Sequence, residues 1–344
     1  MRILVVNAGS SSLKLSLLDH DDTVLARPAG LDDLRDLPAP DAIGHRVVHG
    51  GAEFTDPVLI DDDVEARLRA LTELAPLHQP KSLHGIDAVR AVRPGVPEVA
   101  CFDTAFHAHL PEAAATYALP AAWREKYGIR RYGFHGLSHA YATRRVTELL
   151  GHVPERLVVC HLGAGASLCA VAHGRSVDTT MGFTPLEGLV MATRSGSVDP
   201  GLLLWLQERT GLAPGELADT LEHRSGLLAL TGTADMREIG EGLGLEVYLH
   251  RLRAGVAAMA AALGGLDTLV FTGGVGEHAT GVRRRAAEGL GFLGVALDPA
   301  REDTTDAEIG VPGAPVRAFV VTSREDLEIA AGVRALCDRR ADAW

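Results

Sequence analysis

Near the start of the chain, Asn7, Ser10, Ser12 and Lys14 sit in and around a Gly/Ser turn between two apolar runs. Hydroxyls and an ammonium bind phosphate oxygens, and an Asn carbonyl offers an oxygen to Mg²⁺ or its water shell. Glycine lets backbone N–H groups come close to an anion. The pattern recurs in the second half of the chain. There an apolar run at 157–162 leads into Gly163-Ala164-Gly165-Ala166-Ser167, and a second apolar run follows at 168–171. Two such hairpins in one chain point to a duplicated fold that grips the phosphates of one nucleotide from two sides.

Two arginines stand among small residues. Arg46 lies in Gly44-His45-Arg46-Val47-Val48-His49-Gly50-Gly51, and Arg194 in Met191-Ala192-Thr193-Arg194-Ser195-Gly196. Arginine holds planar oxyanions by two prongs and keeps its charge. Two arginines facing one phosphoryl group would stabilise the charge that develops during transfer. Asp103 ends an apolar run, where it can orient or deprotonate a nucleophile or hold an arginine. His135 stands between aromatic and glycine residues in Tyr132-Gly133-Phe134-His135-Gly136. Other patterns lead away from chemistry. The pair His107 and His109 has no third ligand nearby in sequence and reads as structural. A GxGxxG run at 289–294 follows a helical stretch, 283–288, rather than a strand, so it reads as a helix terminus and turn. The P-loop pattern GxxxxGK[ST] does not occur.

These residues need elements to hold them. Residues 1–19 read as a β-hairpin, 22–26 as a third strand, and 28–42 as a loop broken by Pro28, Pro38 and Pro40. A strand at 43–49 ends in Gly50-Gly51. Helical spacing at 62–74 sets Val64, Leu68, Leu71 and Leu74 on one face. A helix at 82–92 stops at Pro94-Gly95, and a strand at 99–102 carries Asp103 at its end. In the second half, 157–178 gives two or three strands, and 200–210, 216–221 and 245–263 read as helices. A buried strand at 266–272 is followed by Gly273-Gly274-Val275-Gly276-Glu277. A last strand at 316–322 and a helix at 326–339 close the chain. The pattern is α/β, with polar residues gathered at strand ends, where open sheets bind ligands.

At 344 residues the chain has room for two domains. Its 47% hydrophobic and 23% charged residues are those of a soluble globular protein. A net charge of -12 argues against general nucleic-acid binding, while Arg46, Arg194 and Arg237 could still line a local basic pocket. No apolar run approaches the roughly 20 residues of a membrane span. Met1-Arg2 leads straight into a strand without a signal-peptide pattern, so a cytoplasmic location is expected. Cys101, Cys160, Cys169 and Cys337 lack metal spacing, and three of them lie in apolar strand-like segments as buried reduced thiols.

The blocks at 7–14, 44–51, 75–78, 102–107, 131–139, 180–194 and 273–277 together resemble the acetate kinase family, of the superfamily that includes sugar kinases and actin. The resemblance spans nearly the whole chain, and Met181-Gly182-Phe183-Thr184-Pro185-Leu186-Glu187-Gly188-Leu189 is close to specific for the family. It implies an α/β protein of duplicated actin-like, ribonuclease H-like domains with a cleft between them. The domains would be 1–103 and 104–322, with a helix at 323–344 returning to the first. It implies reversible transfer of the ATP γ-phosphoryl group to acetate, giving acetyl phosphate and ADP. Mg²⁺, or Mn²⁺ in its place, would be the cofactor. It also implies a homodimer with no nucleic-acid or membrane partner.

Roles then follow by position. Asn7, Ser10, Ser12 and Lys14 resemble the first phosphate and metal loop, and Glu325 the magnesium-site glutamate. Arg46 and Arg194 resemble the pair that binds the carboxylate and the transferring phosphoryl group. His135 resembles the transition-state hydrogen-bond donor and Asp103 the catalytic carboxylate. Val48, Leu77, Phe134 and Pro185 resemble the pocket for the acetate methyl. His161, Leu162, Gly163, Ala164 and Gly165 resemble the second phosphate loop. Asp235, Met236 and Arg237 correspond to residues near the nucleotide, and Gly273, Gly274, Val275, Gly276 and Glu277 to the adenosine-side loop.

Some positions depart from the family pattern. Ala164, Gln79 and His278 stand where Asn is usual, and Ala192 where Gly is usual. The stretch between Asp19 and Gly44 is short. Losing one amide hydrogen bond to phosphate at Ala164 would cost about 1–3 kcal/mol of nucleotide binding. Three alternatives remain open on sequence: propionate or another short-chain acid as acceptor, pyrophosphate as donor, and a non-catalytic actin-like nucleotide-binding protein. The last needs neither an acid pocket nor an arginine pair.

Overall fold

The computed structural model describes residues 1–8, 13–301 and 306–341, so Ser10 and Ser12 lie outside the described residues. In chain order come β1 (Ile3–Ala8), β2 (Leu13–Leu18), β3 (Val24–Ala26), β4 (Ala42–Val47), β5 (Val58–Leu59), α1 (Asp62–Ala70), α2 (Gln79–Val92) and β6 (Glu98–Phe102). Next are α3 (Glu112–Ala115), α4 (Ala121–Tyr127), α5 (Gly136–Leu150), β7 (Arg156–Leu162), β8 (Ala166–Ala172) and β9 (Arg175–Thr179). Then follow α6 (Pro200–Thr210), α7 (Pro214–His223), α8 (Gly226–Thr231), α9 (Leu243–Ala262), β10 (Thr268–Thr272), α10 (Gly273–His278) and α11 (Thr280–Glu288). The chain closes with β11 (Ala307–Glu308), β12 (Arg317–Val320) and α12 (Glu325–Ala341).

The chain forms two compact units. One comprises Met1–Ala108, Phe134–Tyr141 and Arg324–Trp344; the other comprises His109–Gly133 and Ala142–Ser323. Each holds a six-stranded sheet, in the orders β3-β2-β1-β4-β6-β5 and β9-β8-β7-β10-β12-β11. In both, three antiparallel strands begin the sheet, two strands parallel to the first follow, and a two-residue antiparallel strand sits on the edge. Even the register break recurs between the second and third strands, at Leu17/Leu18 and at Ala170/Val171. The hairpin repeat in the sequence is therefore the local sign of a whole duplicated α/β sheet.

In the first unit the two faces of the sheet are covered by different helices. Ile329, Ala330 and Val333 of α12 pack on Ile3, Val5, Val99 and Cys101. Val64, Leu68, Leu83 and Ile86 of α1 and α2 pack on Val47, Ala100 and Phe102 on the other face. Strand alternation assigns the residues of β4 to these faces. Gly44 lies under α12, where a Cβ would come within 2.6 Å of Ile329 Cγ2 and 2.8 Å of Val333 Cγ2. The missing side chain lets α12 approach. Arg46, two residues on, shares that face and meets the start of α12.

The opposite face of β4 carries His45, which is 1% exposed. Its Nε2 lies 2.8 Å from Glu98 Oε2, and Arg90 Nε donates to Glu98 Oε1 at 2.8 Å. Arg90 continues to Glu65, and Glu65 to Arg69, so an ionic chain runs from the core to the helical surface. Burial pushes the Glu98 carboxyl up, but His45 and Arg90 outweigh it and hold it below its usual value. A carboxyl depressed in the fold adds stability above its unfolded pKa and loses it as pH falls through the folded pKa. Glu98→Ala is expected to cost about 3 kcal/mol at neutral pH. Urea midpoints should show the full difference from wild type above the ordinary value of 4.5, shrinking below it. Equal midpoints at neutral pH would refute the role.

Several elements differ from the sequence expectations. The 28–42 loop contains a 3₁₀ turn, Asp32–Asp36, because Leu34 is fully buried. The first helix stops at Ala70 and goes on as a 3₁₀ turn, Leu71–Glu73; Asp61 caps its start by accepting from Val64 N at 2.8 Å. α2 begins at Gln79 rather than 82, with Pro80 in its first turn. Gly273 to Glu277 is not a loop but most of α10, tightly joined to β10. GxGxxG at 289–294 is a helix end and 3₁₀ turn, as its context implied. The helices α3, α4 and α5 had no counterpart in the sequence reading. All four cysteines are free; burial pushes the Cys101 and Cys169 thiols up to about 12. No helix among the described residues is long and apolar enough to cross a membrane.

Candidate active site

Arg46 anchors the first unit's site. Its Nε donates to both carboxylate oxygens of Asp103, at 3.0 and 3.1 Å, and its Nη2 donates to Oδ2. Its Nη1 donates to Asn7 Oδ1 at 3.3 Å, and Asn7 Nδ2 donates to Glu325 Oε2 at 2.6 Å. Residues from β1, β4, the end of β6 and the first turn of α12 thus form one hydrogen-bonded chain. Burial works against the Arg46 charge, yet the Asp103 and Glu325 carboxylates outweigh it and raise its pKa. Burial pushes the Asp103 carboxyl up and Glu325 adds to this, while Arg46 and the His135 backbone amide oppose it.

Asp103 also fixes the start of α5. Its carbonyl accepts from Gly136 N at 2.8 Å, and a Cβ at Gly136 would overlap that oxygen. His135 just before it takes a left-handed backbone, φ 57°, a conformation that is strained without glycine. Strain at this point holds the His135 residue next to the Asp103 carboxylate. His107, of the HxH pair, is buried with Nε2 3.1 Å from the Phe134 carbonyl, and burial takes its pKa down to about 4. It is a neutral brace; His109 lies in the other unit and is exposed.

Residues 48–50 leave the sheet after β4, and side chains take their amides. Val48 N donates to Ser82 Oγ, His49 N to Gln79 Oε1 and Gly50 N to Thr104 Oγ1. Gln79 Nε2 also donates to the carbonyls of His49 and Leu68. The departure at Gln79 therefore has a structural use. Val48 and Phe134 are buried, whereas Leu77 of the same expected pocket is 46% exposed. Lys14 is exposed on β2, opposite Asn7 on β1.

Asn7 Oδ1 and the Glu325 carboxylate are hard oxygen donors on two side chains joined through Asn7 Nδ2, with the Asp103 carboxylate reached through Arg46. That donor set suits Mg²⁺, which takes few protein ligands and favours carboxylates beside substrate phosphates. The group Asp19, His20 and Asp21 could also gather around an ion, but it is a solvent-facing acidic turn.

In the second unit, the polar residues gather at the ends of β7 and β10. His161, next to last in β7, lies opposite Thr272 at the end of β10. The turn after β7 closes with Gly163 N donating to Gly165 O at 3.0 Å, and α10 packs against β7. The Ala164 carbonyl accepts from Ala192 N at 3.0 Å, which ties this turn to the Arg194 segment. Arg194 Nη1 donates to the Pro185 carbonyl at 3.2 Å. Pro185 is itself buried, on a loop held by Glu187. Arg131 donates to Glu187 Oε1 at 2.9 Å, and the Tyr117 hydroxyl donates to Oε2 and accepts from Phe183 N. Glu187 lies inside the run most specific to the family, but its role as the loop's anchor was not legible there. Glu277 accepts from Ser323 N at 2.9 Å, and buried Arg283 donates to the Gly276 and Glu277 carbonyls. Asp235 and Arg237 form an exposed pair flanking Met236, and Arg237 draws the Asp235 carboxyl down to about 2. His278 is exposed at the end of α10.

A duplicated α/β sheet, a glycine-rich turn at the end of β7 and an arginine braced by a buried carboxylate suit a phosphotransferase. The acetokinase family matches residues 31–331. The chain belongs to that family. It is 48% identical over 339 residues to the acetate kinase of Leifsonia xyli subsp. xyli, covering 94% of this chain and 85% of that one. The crystal structure of a propionate kinase from Francisella tularensis superposes with a TM-score of 0.91 at 35% identity, covering 96% of this chain and 98% of that one. That of Porphyromonas gingivalis acetate kinase gives 0.89 at 34%, covering 98% and 99%.

Proposed function

We propose that the chain catalyses reversible phosphoryl transfer between ATP and acetate, giving acetyl phosphate and ADP. The observation that carries this is the Arg46–Asp103 pair joined through Asn7 to Glu325. An acetate oxygen attacks the γ-phosphorus, and the bond to the β–γ bridging oxygen breaks to release ADP. A carboxylate is already nucleophilic at neutral pH, so the protein supplies alignment and charge neutralisation rather than a strong base. Arg46 and Arg194 hold the acid and the transferring phosphoryl group. Asp103 keeps Arg46 aimed, and His135 donates a hydrogen bond as charge develops. Val48, Phe134, Pro185 and Leu77 form the apolar surface for the methyl group. Asn7 and Glu325 would hold Mg²⁺, which would offset phosphate charge when bound. Ser10, Ser12, Lys14, the 161–165 segment, 235–237 and 273–277 serve the nucleotide. In this reading the domains run 1–103 and 104–322, with 323–344 serving the first.

The enzyme works in the cytoplasm as a homodimer. None of the residues of α6 is buried, and Leu202, Leu204 and Trp205 are exposed, which supports coverage by a second copy. Sedimentation as a monomer at micromolar concentration would count against the dimer.

The deciding experiment traps acetyl phosphate as the hydroxamate, with Mg-ATP and acetate saturating and Arg194→Ala as control. Product that vanishes in the control is expected. The propionate kinase among the similar structures motivates a second acceptor, so acetate, propionate and butyrate are compared in the same assay. Faster turnover of propionate would reassign the acid. Because Ala164 stands in the phosphate turn, pyrophosphate is tested beside ATP; activity with pyrophosphate alone would overturn the donor. ATP hydrolysis independent of any acid, with no acyl phosphate formed, would favour a nucleotide-binding switch.

A further inference from the structure

Arg194 carries an internal counter-ion. Its Nε lies 2.9 Å from Glu222 Oε2, and the two side chains are only 14% and 7% exposed. Glu222 stands in the last turn of α7, and its backbone holds the same segment. Thr193 Oγ1 donates to the Glu222 carbonyl at 2.8 Å, and Ser195 N donates to the neighbouring Leu221 carbonyl at 3.1 Å. On the far side, Ser225 N donates to Thr193 O, Leu227 N to Met191 O and Leu228 N to Ala192 O. Residues 191–195 are therefore laced to the α7–α8 junction by five hydrogen bonds, four of them backbone to backbone, and the guanidinium is tied to the same place by Glu222.

We infer that Glu222 is a positioning residue for Arg194. The inference rests on the proposal that Arg194 binds the acid and the transferring phosphoryl group. An arginine has many rotamers, and a planar fork is useful only when its plane is set. The Pro185 carbonyl fixes one nitrogen, Nη1, and Glu222 fixes another, Nε. Anchoring Nε as well as Nη1 sets the plane of the guanidinium. Glu222 also partly offsets the charge of a poorly hydrated arginine before an anion arrives. The carboxylate stays on the protein throughout and takes no part in bond making.

Kinetic constants of Glu222→Ala, Glu222→Gln, Glu222→Asp and Arg194→Ala, with melting temperatures, test this. Because misplacement of about 1 Å can cost ~100-fold, Glu222→Ala should lower kcat/KM for acetate about tenfold or more. KM for ATP should stay within about twofold, since a general structural defect would move both. Glu222→Gln keeps an acceptor for Nε and should recover most of the loss. A Glu222→Ala enzyme with wild-type constants would overturn the inference, and so would a rise in KM for ATP as large as the loss in kcat/KM for acetate, or no recovery by Gln. If the Ala variant does not fold, Glu222→Asp decides. Its shortened side chain withdraws the carboxylate, so lowered kcat/KM for acetate with KM for ATP unchanged supports positioning, and wild-type kinetics refutes it. Wild-type turnover in Arg194→Ala would instead show that the underlying reading of the site had failed.

Discussion

Arg46→Ala and Arg194→Ala are each expected to lower turnover by about a hundredfold or more, with nucleotide affinity close to wild type. Each guanidinium is held by a buried carboxylate, Arg46 by Asp103 and Arg194 by Glu222. Such an investment in orientation is what a group acting on developing charge requires. Single-turnover rates and fluorescent nucleotide titration would check both halves of the expectation. Turnover within about tenfold of wild type in both variants would contradict the assignment. The Ala variants also strand a carboxylate. Removing one member of a buried pair costs about 3–5 kcal/mol, so melting curves must accompany the rates. Arg46→Lys preserves the charge and loses the two-pronged contact with Asp103. It should fold well and still be slow, which would separate geometry from stability.

Asp103→Asn is expected to be the next most damaging change, again about a hundredfold in turnover. The amide keeps the shape of the carboxylate but offers Arg46 one acceptor oxygen in place of two. It also sets an N–H₂ group against the guanidinium. The pH dependence gives a sharper test. Burial raises the Asp103 carboxyl above its ordinary 3.8. The ionised form is the one that holds Arg46. Activity should therefore fall as pH drops through a pKa higher than that of an ordinary aspartate, and recover above it. In Asp103→Asn that acid limb should be missing from the kcat/KM profile. A variant with reduced activity and an unchanged limb would place the titrating group elsewhere.

Much of the fold was legible because its signals are local. A hairpin is specified by two apolar strands and the small residues between them, all within a few residues. The two hairpins were thus readable, and their repetition foretold the duplicated sheets. Parallel strands such as β4, β6 and β10 are short apolar runs bounded by turn residues, and those too were visible. The helix α5 was not, although His135 and Gly136 at its start had been singled out. Its beginning depends on the Asp103 carbonyl, more than thirty residues earlier in the chain, and on a left-handed histidine that no propensity favours. The resemblance implied a loop at Gly273 to Glu277, and glycine does oppose helix formation. Packing against β7 and the Arg283 contacts to the last carbonyls overrode that preference.

The candidate site divides in the same way. The types of its residues, and their order in blocks along the chain, were enough to name the arginines, the carboxylate, the metal-side pair and the phosphate turns. These are matters of chemical identity, and identity is written one residue at a time. The partners of those residues are another matter. Glu222 beside Arg194, Glu187 behind Pro185, Gln79 bracing His49 and His45 bonded to Glu98 are hydrogen bonds between segments far apart in sequence. The exposure of Leu77, against the burial of Val48 and Phe134, belongs with them. A hydrogen bond forms within about 3 Å in space and carries no trace of sequence distance. Which carboxylate meets which arginine was therefore settled only when the sheets, α7 and α12 had packed.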